Sequence, residues 1–306
     1  MKVLSWSGRC LVGAMALATC VSAAEATAPA ADKLRVVCTT TMITDLVKTI
    51  AGDAADVRGI MRPGEDPHVY DVRPRDVQLV ADAQLVVMNG LHLEATLGAV
   101  IKHNTPDATV VKLAETPEIT PLASEQTKGA PDPHCWFNVQ YFRIYAQRAR
   151  DALIAADAAN GDAYRDRAAI YIKQLDELDA WVRSEIASVP VERRVMVTSH
   201  DAFQYFGKAY QIDVYAVIGI STEQQAKPRD LVRLEAIVRE RGVKALFVET
   251  SVSNTLNSLV KKVAARSGAS IGGTLYSDSL GAPGTEAGTY LGMVRHNTRT
   301  IVKALR

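Results

Sequence analysis

Residues 161–190 set the plan of this chain. Tyr164, Ala168, Tyr171, Leu175, Leu178 and Val182 follow one another at steps of four and three, the spacing that lines up one face of an α-helix. The positions between them carry Asp166, Arg167, Lys173, Asp176, Glu177 and Arg183, which form a polar opposite face. Pro190 stands where such a helix has just ended. From Asp162 to Ser188 the helix would be about 40 Å long at 1.5 Å per residue, enough to cross a whole domain. Residues 138–190 contain no convincing strand, whereas strands fill both flanks, so the helix reads as a backbone joining two lobes.

The flanks have one grammar. Before the helix, Leu34–Thr39, Val57–Met61, Leu85–Asn89 and Thr109–Leu113 are short apolar runs, with amphipathic segments such as Ile43–Ile50 and Pro74–Ala81 between them. After it, Arg194–Ser199, Val214–Ile218, Ala245–Glu249 and Ser270–Leu275 alternate with Pro228–Arg241 and Asn254–Arg266. Continuous apolar strands separated by helices predict parallel sheets covered on both faces. The fold expected is α/β: two doubly wound lobes, residues 34–160 and 191–306, joined by one long rigid helix over 161–190. In such sheets ligands bind in the crevice at strand carboxyl ends, so a site is expected in the cleft between the lobes.

The first 24 residues read as a removable leader. Lys2 and Arg9 precede an apolar run, Cys10 to Ala18, and then the small residues Val21-Ser22-Ala23-Ala24, the layout of a secretory signal peptide. The apolar run is too short for a membrane span of about 20 residues. Leu17-Ala18-Thr19-Cys20 offers a second reading, a lipid anchor at Cys20, which Thr19 fits poorly. Residues 25–33, rich in Ala, Thr and Pro, read as a flexible stretch. The whole chain has net charge +1, with 35 basic and 34 acidic residues. That balance argues against a nucleic-acid binder. Beyond the leader only Cys38 and Cys135 are left, too few for a disulfide framework; two buried thiols is the simpler reading.

The chemistry lies in the histidines, of which there are six. His68 and His134 both close an Asp-Pro-His element, Asp66-Pro67-His68 and Asp132-Pro133-His134, each with an aromatic two residues further on (Tyr70 and Trp136). Proline fixes its own φ and biases the residue before it towards extended geometry, so these histidines are held by backbone. His200 directly follows the strand Arg194–Ser199, and Asp278 follows Ser270–Leu275 closely. A lone histidine is more often a surface or core residue than a ligand. Two matching elements from one lobe and two strand-end residues from the other change that balance. If the lobes face one another, His68, His134, His200 and Asp278 converge as three imidazoles and a carboxylate, a donor set that suits a divalent metal. His92 is expected to be exposed or behind a ligand, His103 solvated in a polar turn, and His296 on the surface of the C-terminal helix. Glu249, at a strand end, either orients a ligand or is a capped structural acid. Cys135 joins the site only if it turns inward.

These stretches resemble the zinc- and manganese-binding solute receptors of ABC transporters, the TroA-like family. The resemblance rests on Pro63-Gly64-Glu65-Asp66-Pro67-His68-Val69-Tyr70, Asn89-Gly90-Leu91-His92-Leu93-Glu94, Asp132-Pro133-His134-Cys135-Trp136-Phe137, Thr198-Ser199-His200-Asp201-Ala202-Phe203, Gly219-Ile220-Ser221-Thr222, Phe247-Val248-Glu249-Thr250-Ser251 and Tyr276-Ser277-Asp278-Ser279-Leu280. It runs from about residue 34 to the C-terminus. It implies the lobe–helix–lobe architecture and metal ligation by His68, His134, His200 and Asp278. It also implies a periplasmic receptor without enzymatic activity, which carries one ion per chain to an ABC permease in the cytoplasmic membrane. Manganese-preferring receptors of this group often have Glu where His200 stands, and many zinc receptors have a His-rich loop, whereas Glu115–Gly129 contains no histidine. This leaves the metal open between Zn²⁺ and Mn²⁺, with Zn²⁺ ahead on ligand softness. Where relatives often have Asp-Pro after the Trp, this chain has Phe137-Asn138-Val139. A monomer that binds no nucleic acid is expected. The rival readings are a zinc-dependent hydrolase, which usually keeps an open metal position, a surface adhesin or scaffold, and a receptor for a chelated metal on the same fold.

Overall fold

The computed structural model describes residues 1–5, 8, 32–124 and 129–306. The leader's apolar run, its cleavage region, Cys20 and nearly all of the expected flexible stretch lie outside the described residues. Among those described, no helix is long and apolar enough to cross a membrane. Lys33–Arg306 forms one compact unit.

The first half is a four-stranded parallel sheet in the order β2-β1-β3-β4, made of β1 (Leu34–Cys38), β2 (Ala55–Gly59), β3 (Leu85–Met88) and β4 (Thr109–Lys112). The central β3 is buried along its whole length, as the unbroken run Leu-Val-Val-Met requires, while the edge strand β4 is mostly exposed. Helices α1 (Thr41–Ala51), α2 (Pro74–Ala81) and α3 (Ala95–Asn104) supply the crossovers. Thr40 starts α1 by accepting a hydrogen bond from Ile43 N, and Pro74 opens α2 where a missing amide costs nothing.

Two helices follow: α4 (Val139–Ala156), then α5 (Gly161–Ala187). The α5 stripe is buried as its spacing predicts: Tyr164, Ala168, Leu175, Leu178 and Val182 are 0% exposed. Each such aliphatic side chain contributes about 1.5–3 kcal/mol of burial. That face packs on α1 and α4 of the first half and on α6 and α9 of the second. Arg167 reaches from α5 to the last carbonyls of α1, Ile50 O and Ala51 O, at 2.7 Å each. The result is one continuous apolar interior that runs from Leu34 and Tyr145 through Tyr164 and Leu175 to Tyr290 and Leu305. Phe142 of α4 stacks on Tyr290 at 3.5 Å between ring centroids.

The second half comprises β5 (Val195–Thr198), α6 (Gln204–Tyr210), β6 (Asp213–Ala216), α7 (Pro228–Glu240), β7 (Ala245–Glu249), α8 (Asn254–Ser267), β8 (Ser270–Leu275) and α9 (Tyr290–Leu305). Its strands form two hydrogen-bonded parallel pairs, β5-β6 and β7-β8, with β5 lying beside β7. The predicted strands match in number and place, and six of the eight differ from their expected bounds by one or two residues at an end. Main-chain pairing runs on past the regular strand ends, as from Thr39 N to Val87 O at 3.2 Å, Leu113 N to Met88 O at 2.9 Å and Ile218 N to Ser199 O at 3.3 Å.

Candidate metal centre

The two Asp-Pro-His elements fold alike. Asp66 Oδ1 accepts a hydrogen bond from His68 N at 2.9 Å, and Asp132 Oδ1 accepts one from His134 N at 2.9 Å. Each aspartate thus closes a tight turn on the residue two positions on, with proline fixing the middle. These turns, not strand ends, present His68 and His134: His68 is the middle residue of a 3₁₀ turn over Pro67–Val69, and His134 precedes one over Cys135–Phe137. The strand-end expectation holds for the other pair, since His200 lies two residues beyond β5 and Asp278 three beyond β8.

All four candidate residues come together. One donor atom from each of His68, His134, His200 and Asp278 lies within 4.8 Å of the others. His134 and His200 are 0% exposed, Asp278 1% and His68 6%. His134 Nε2 is 3.3 Å from His68 Nε2 and 3.3 Å from His200 Nε2. Asp278 Oδ2 is 3.1 Å from His200 Nε2 and Asp278 Oδ1 is 3.5 Å from His134 Nε2, yet neither carboxylate oxygen accepts a well-aligned hydrogen bond.

Two carboxylates behind the rings decide which nitrogens face inward. Asp132 Oδ1 lies 2.7 Å from His134 Nδ1, and Glu249 Oε2 lies 2.6 Å from His200 Nδ1. A carboxylate at Nδ1 keeps the proton there and leaves Nε2 with its lone pair. Glu249 also accepts Ser199 N and His200 N on Oε1, at 2.8 and 2.9 Å. It therefore orients His200 and caps the strand end at once, which joins the two roles expected of it. Asp132 carries a role that sequence reasoning missed. The signal was present, because the residue before a proline in Asp-Pro-His is placed to reach both the amide and the ring two residues on.

Electrostatics separates the imidazoles. Burial pushes His68 down to about 3, with the Asp278 carboxylate opposing and the other two imidazoles adding to the fall. For His200 burial also disfavours charge, but Asp278 and Glu249 outweigh it and raise the imidazole well above its ordinary value. Burial works against ionised Asp278 as well, and the facing histidines, His200 foremost, nevertheless hold it below the usual carboxylate range. A cluster with this charge pattern calls for a positive centre: a proton on His200, or a cation in its place.

The remaining candidates stay outside. His92 is exposed and sits with Leu91 in the left-handed region, at φ 63° and 53°. His103 lies in the last turn of α3 and not in a separate polar turn, since the helix continues to Asn104; its Nδ1 approaches Ala99 O at 2.7 Å. His296 lies on α9 against the Tyr276 ring. Cys38 and Cys135 are buried free thiols. Burial pushes Cys135 up to about 12, and its hydrogen-bond partners are Tyr205 and Tyr145, so it does not turn into the cluster. Asn138, at the departure from the Asp-Pro pattern, caps α4 by accepting Gln140 N at 3.0 Å. Trp136 packs edge-on to His134, and its Nε1 donates to Ser277 O at 3.2 Å.

A family model described as the periplasmic zinc-uptake complex component A matches residues 36–304. The chain belongs to this family. The zinc-binding protein TroA of Treponema pallidum is 40% identical over 281 residues, 91% of either chain. A solved structure of periplasmic zinc-binding TroA from the same organism matches with a TM-score of 0.85 at 39% identity, covering 89% of this chain and 99% of that one. The manganese-binding lipoprotein MntA of Bacillus subtilis is 38% identical over 280 residues, 90% of each chain. The manganese ABC transporter substrate-binding lipoprotein PsaA of Streptococcus anginosus is 32% identical over 297 residues, 95% of each. The family is one of solute receptors and not of enzymes, so the hydrolase reading falls.

Proposed function

We propose that this protein captures one divalent transition-metal ion outside the cytoplasm, between His68, His134, His200 and Asp278, and delivers it to the permease of an ABC transporter. The observation that carries this reading is the buried convergence of three imidazole Nε2 atoms and a carboxylate, two of the imidazoles having Nδ1 committed to carboxylates. Metal–nitrogen bonds of about 2.0–2.1 Å at tetrahedral angles put neighbouring donors about 3.3 Å apart, which agrees with the two Nε2–Nε2 separations of 3.3 Å. A bare ion suits this cluster better than a chelate, because the donors sit too close together to admit an organic ligand. Three nitrogen donors favour Zn²⁺, while Mn²⁺ leans towards oxygen.

In this reading residues 34–160 and 191–306 each bring two ligands, and the 161–190 link limits their motion to small rocking. The continuous core around α5 supports that limit. A monomer suffices, since all four donors belong to one chain. Residues 1–24 act as an export signal, with lipid attachment at Cys20 the alternative that the lipoprotein relatives favour.

Elemental analysis of the mature protein purified from minimal medium, followed by calorimetric competition of Zn²⁺ against Mn²⁺, tests the assignment. One equivalent of zinc that manganese does not displace is expected. A protein that takes up neither ion, or that loses neither when His134 and His200 are replaced by alanine, sinks it.

A further inference from the structure

The ligand histidines are braced in different ways. His134 is held by Asp132 of its own loop, and His200 by Glu249 of its own half. No carboxylate backs the His68 ring among the described residues. What fixes His68 is the turn in which Asp66 Oδ1 accepts the His68 amide. The other oxygen of that carboxylate, Oδ2, accepts a hydrogen bond from Thr222 Oγ1 at 2.6 Å, from a residue 156 positions away in the second half. The same loop is held a second time from across the cleft, where Gly64 N donates to Ser279 Oγ at 2.7 Å.

Thr222 is itself tied to the neighbours of His200. The segment that leads to it continues from β6, with Val217 N donating to Thr198 O at 3.1 Å and Ile218 N to Ser199 O at 3.3 Å. Asp201 N returns a bond to Gly219 O at 3.2 Å, and Gly219 N donates to Gln224 Oε1 at 3.1 Å. These bonds hold the backbone up to Gly219 beside both flanks of His200; from there three residues of chain lead to Thr222, whose hydroxyl bonds Asp66 of the His68 turn.

We propose that Thr222 is a positioning residue for His68: its hydroxyl, acting through Asp66, makes the geometry of one ligand conditional on the second half being in place. The inference rests on the four-ligand reading above. When the halves part, Asp66 loses the Thr222 bond, the His68 turn loosens, and the site sheds metal faster than the loss of two ligands from a rigid half-site would allow. The cross-cleft bond thus couples capture to closure.

Zinc affinity and dissociation rate, measured by competition with a chromophoric chelator at pH 7.5, test this in five proteins: the parent, Thr222→Val, Thr222→Ser, His68→Ala and the Thr222→Val/His68→Ala double variant. Thr222→Val removes a hydroxyl and keeps the shape. It is expected to weaken zinc binding about tenfold, mostly through faster release, as befits a hydrogen bond to a charged acceptor. Thr222→Ser restores the bond and stays within about twofold of the parent. In the His68→Ala background Thr222→Val adds nothing, since the residue it positions is gone. Parent-like affinity in Thr222→Val beside a weakened His68→Ala overturns the positioning role and leaves the ligand set standing. An equal loss in both backgrounds also overturns it, because Thr222 would then act elsewhere. Full affinity in His68→Ala instead removes the four-ligand reading beneath it.

Discussion

Replacing Glu249 by glutamine separates the two tasks of that side chain. Glu249 Oε1 holds the amides of Ser199 and His200 at 2.8 and 2.9 Å, and Oε2 holds His200 Nδ1 at 2.6 Å. In Glu249→Gln the amide oxygen can keep the two main-chain bonds, but an NH₂ group then faces Nδ1. Two donors cannot share that contact, so a neutral His200 must move its proton to Nε2 and turn an N–H towards the other donors of the cluster. The alternative, a flipped amide, forfeits both main-chain bonds. A hydrogen bond to a charged group is worth about 1.5–3 kcal/mol net. At about 1.4 kcal/mol per decade, zinc affinity should fall about ten- to a hundredfold, the range seen when the group behind a metal-bound imidazole is changed. Chelator competition at pH 7.5 measures the fall, and ¹⁵N chemical shifts of the His200 ring in metal-free protein, followed to alkaline pH where the ring is neutral, report the tautomer. Parent-like affinity with the proton still on Nδ1 would refute the argument. Glu249 would then be a strand cap alone, and the variant would lose metal-free thermal stability without losing zinc.

Other outcomes follow from the same geometry. Zinc at about a thousand times its Kd should stabilise the fold by about 4 kcal/mol; His134→Ala should abolish most of the resulting rise in Tm and His103→Ala none of it, as thermal melts with and without zinc will read. Asp278 and Glu249 outweigh burial and raise His200 well above its ordinary value, whereas burial lowers His68 to about 3, so His200 is the imidazole at which protons compete with the metal as pH falls. Binding on the acid side should therefore release a proton from that ring, and affinity should fall with acidification, by up to about tenfold per pH unit. Calorimetry in buffers of different ionisation enthalpy counts that proton, and an affinity unchanged from pH 7.5 to 5.5 would contradict the assignment. Cys135→Ser should keep one zinc per chain, since the thiol contacts Tyr205 and Tyr145 and not the cluster; loss of stoichiometry on elemental analysis would put sulfur among the ligands.

Much of this molecule could be read without coordinates because its signals are local. The α5 stripe is a matter of helical period, and it fixed both the helix and its buried face. Unbroken runs such as Leu85–Met88 and Ala245–Glu249 are buried on both faces, so apolar content alone marks them as inner strands. The Asp-Pro-His elements announce fixed turns because proline and a short acidic side chain act over two residues. Boundaries were less legible where main-chain pairing continues past the regular ladder into a loop, as at Thr39, Asn89 and Ser199. His103 was misplaced for a related reason: the polar tail Lys102-His103-Asn104 completes a helix whose apolar face ends earlier, at Ile101.

By itself the amino-acid order determined the elements, the long linking helix, and four residues able to share one cation, since period, proline geometry and donor chemistry all act within a few positions. Asp132 reaches His134 within its own turn, but only the tertiary packing decided that three Nε2 atoms face a common point, that Glu249 stands behind His200, and that Asp66 meets Thr222. Those contacts join segments whose approach depends on how the sheets stack about α5, and no short-range pattern carries that information.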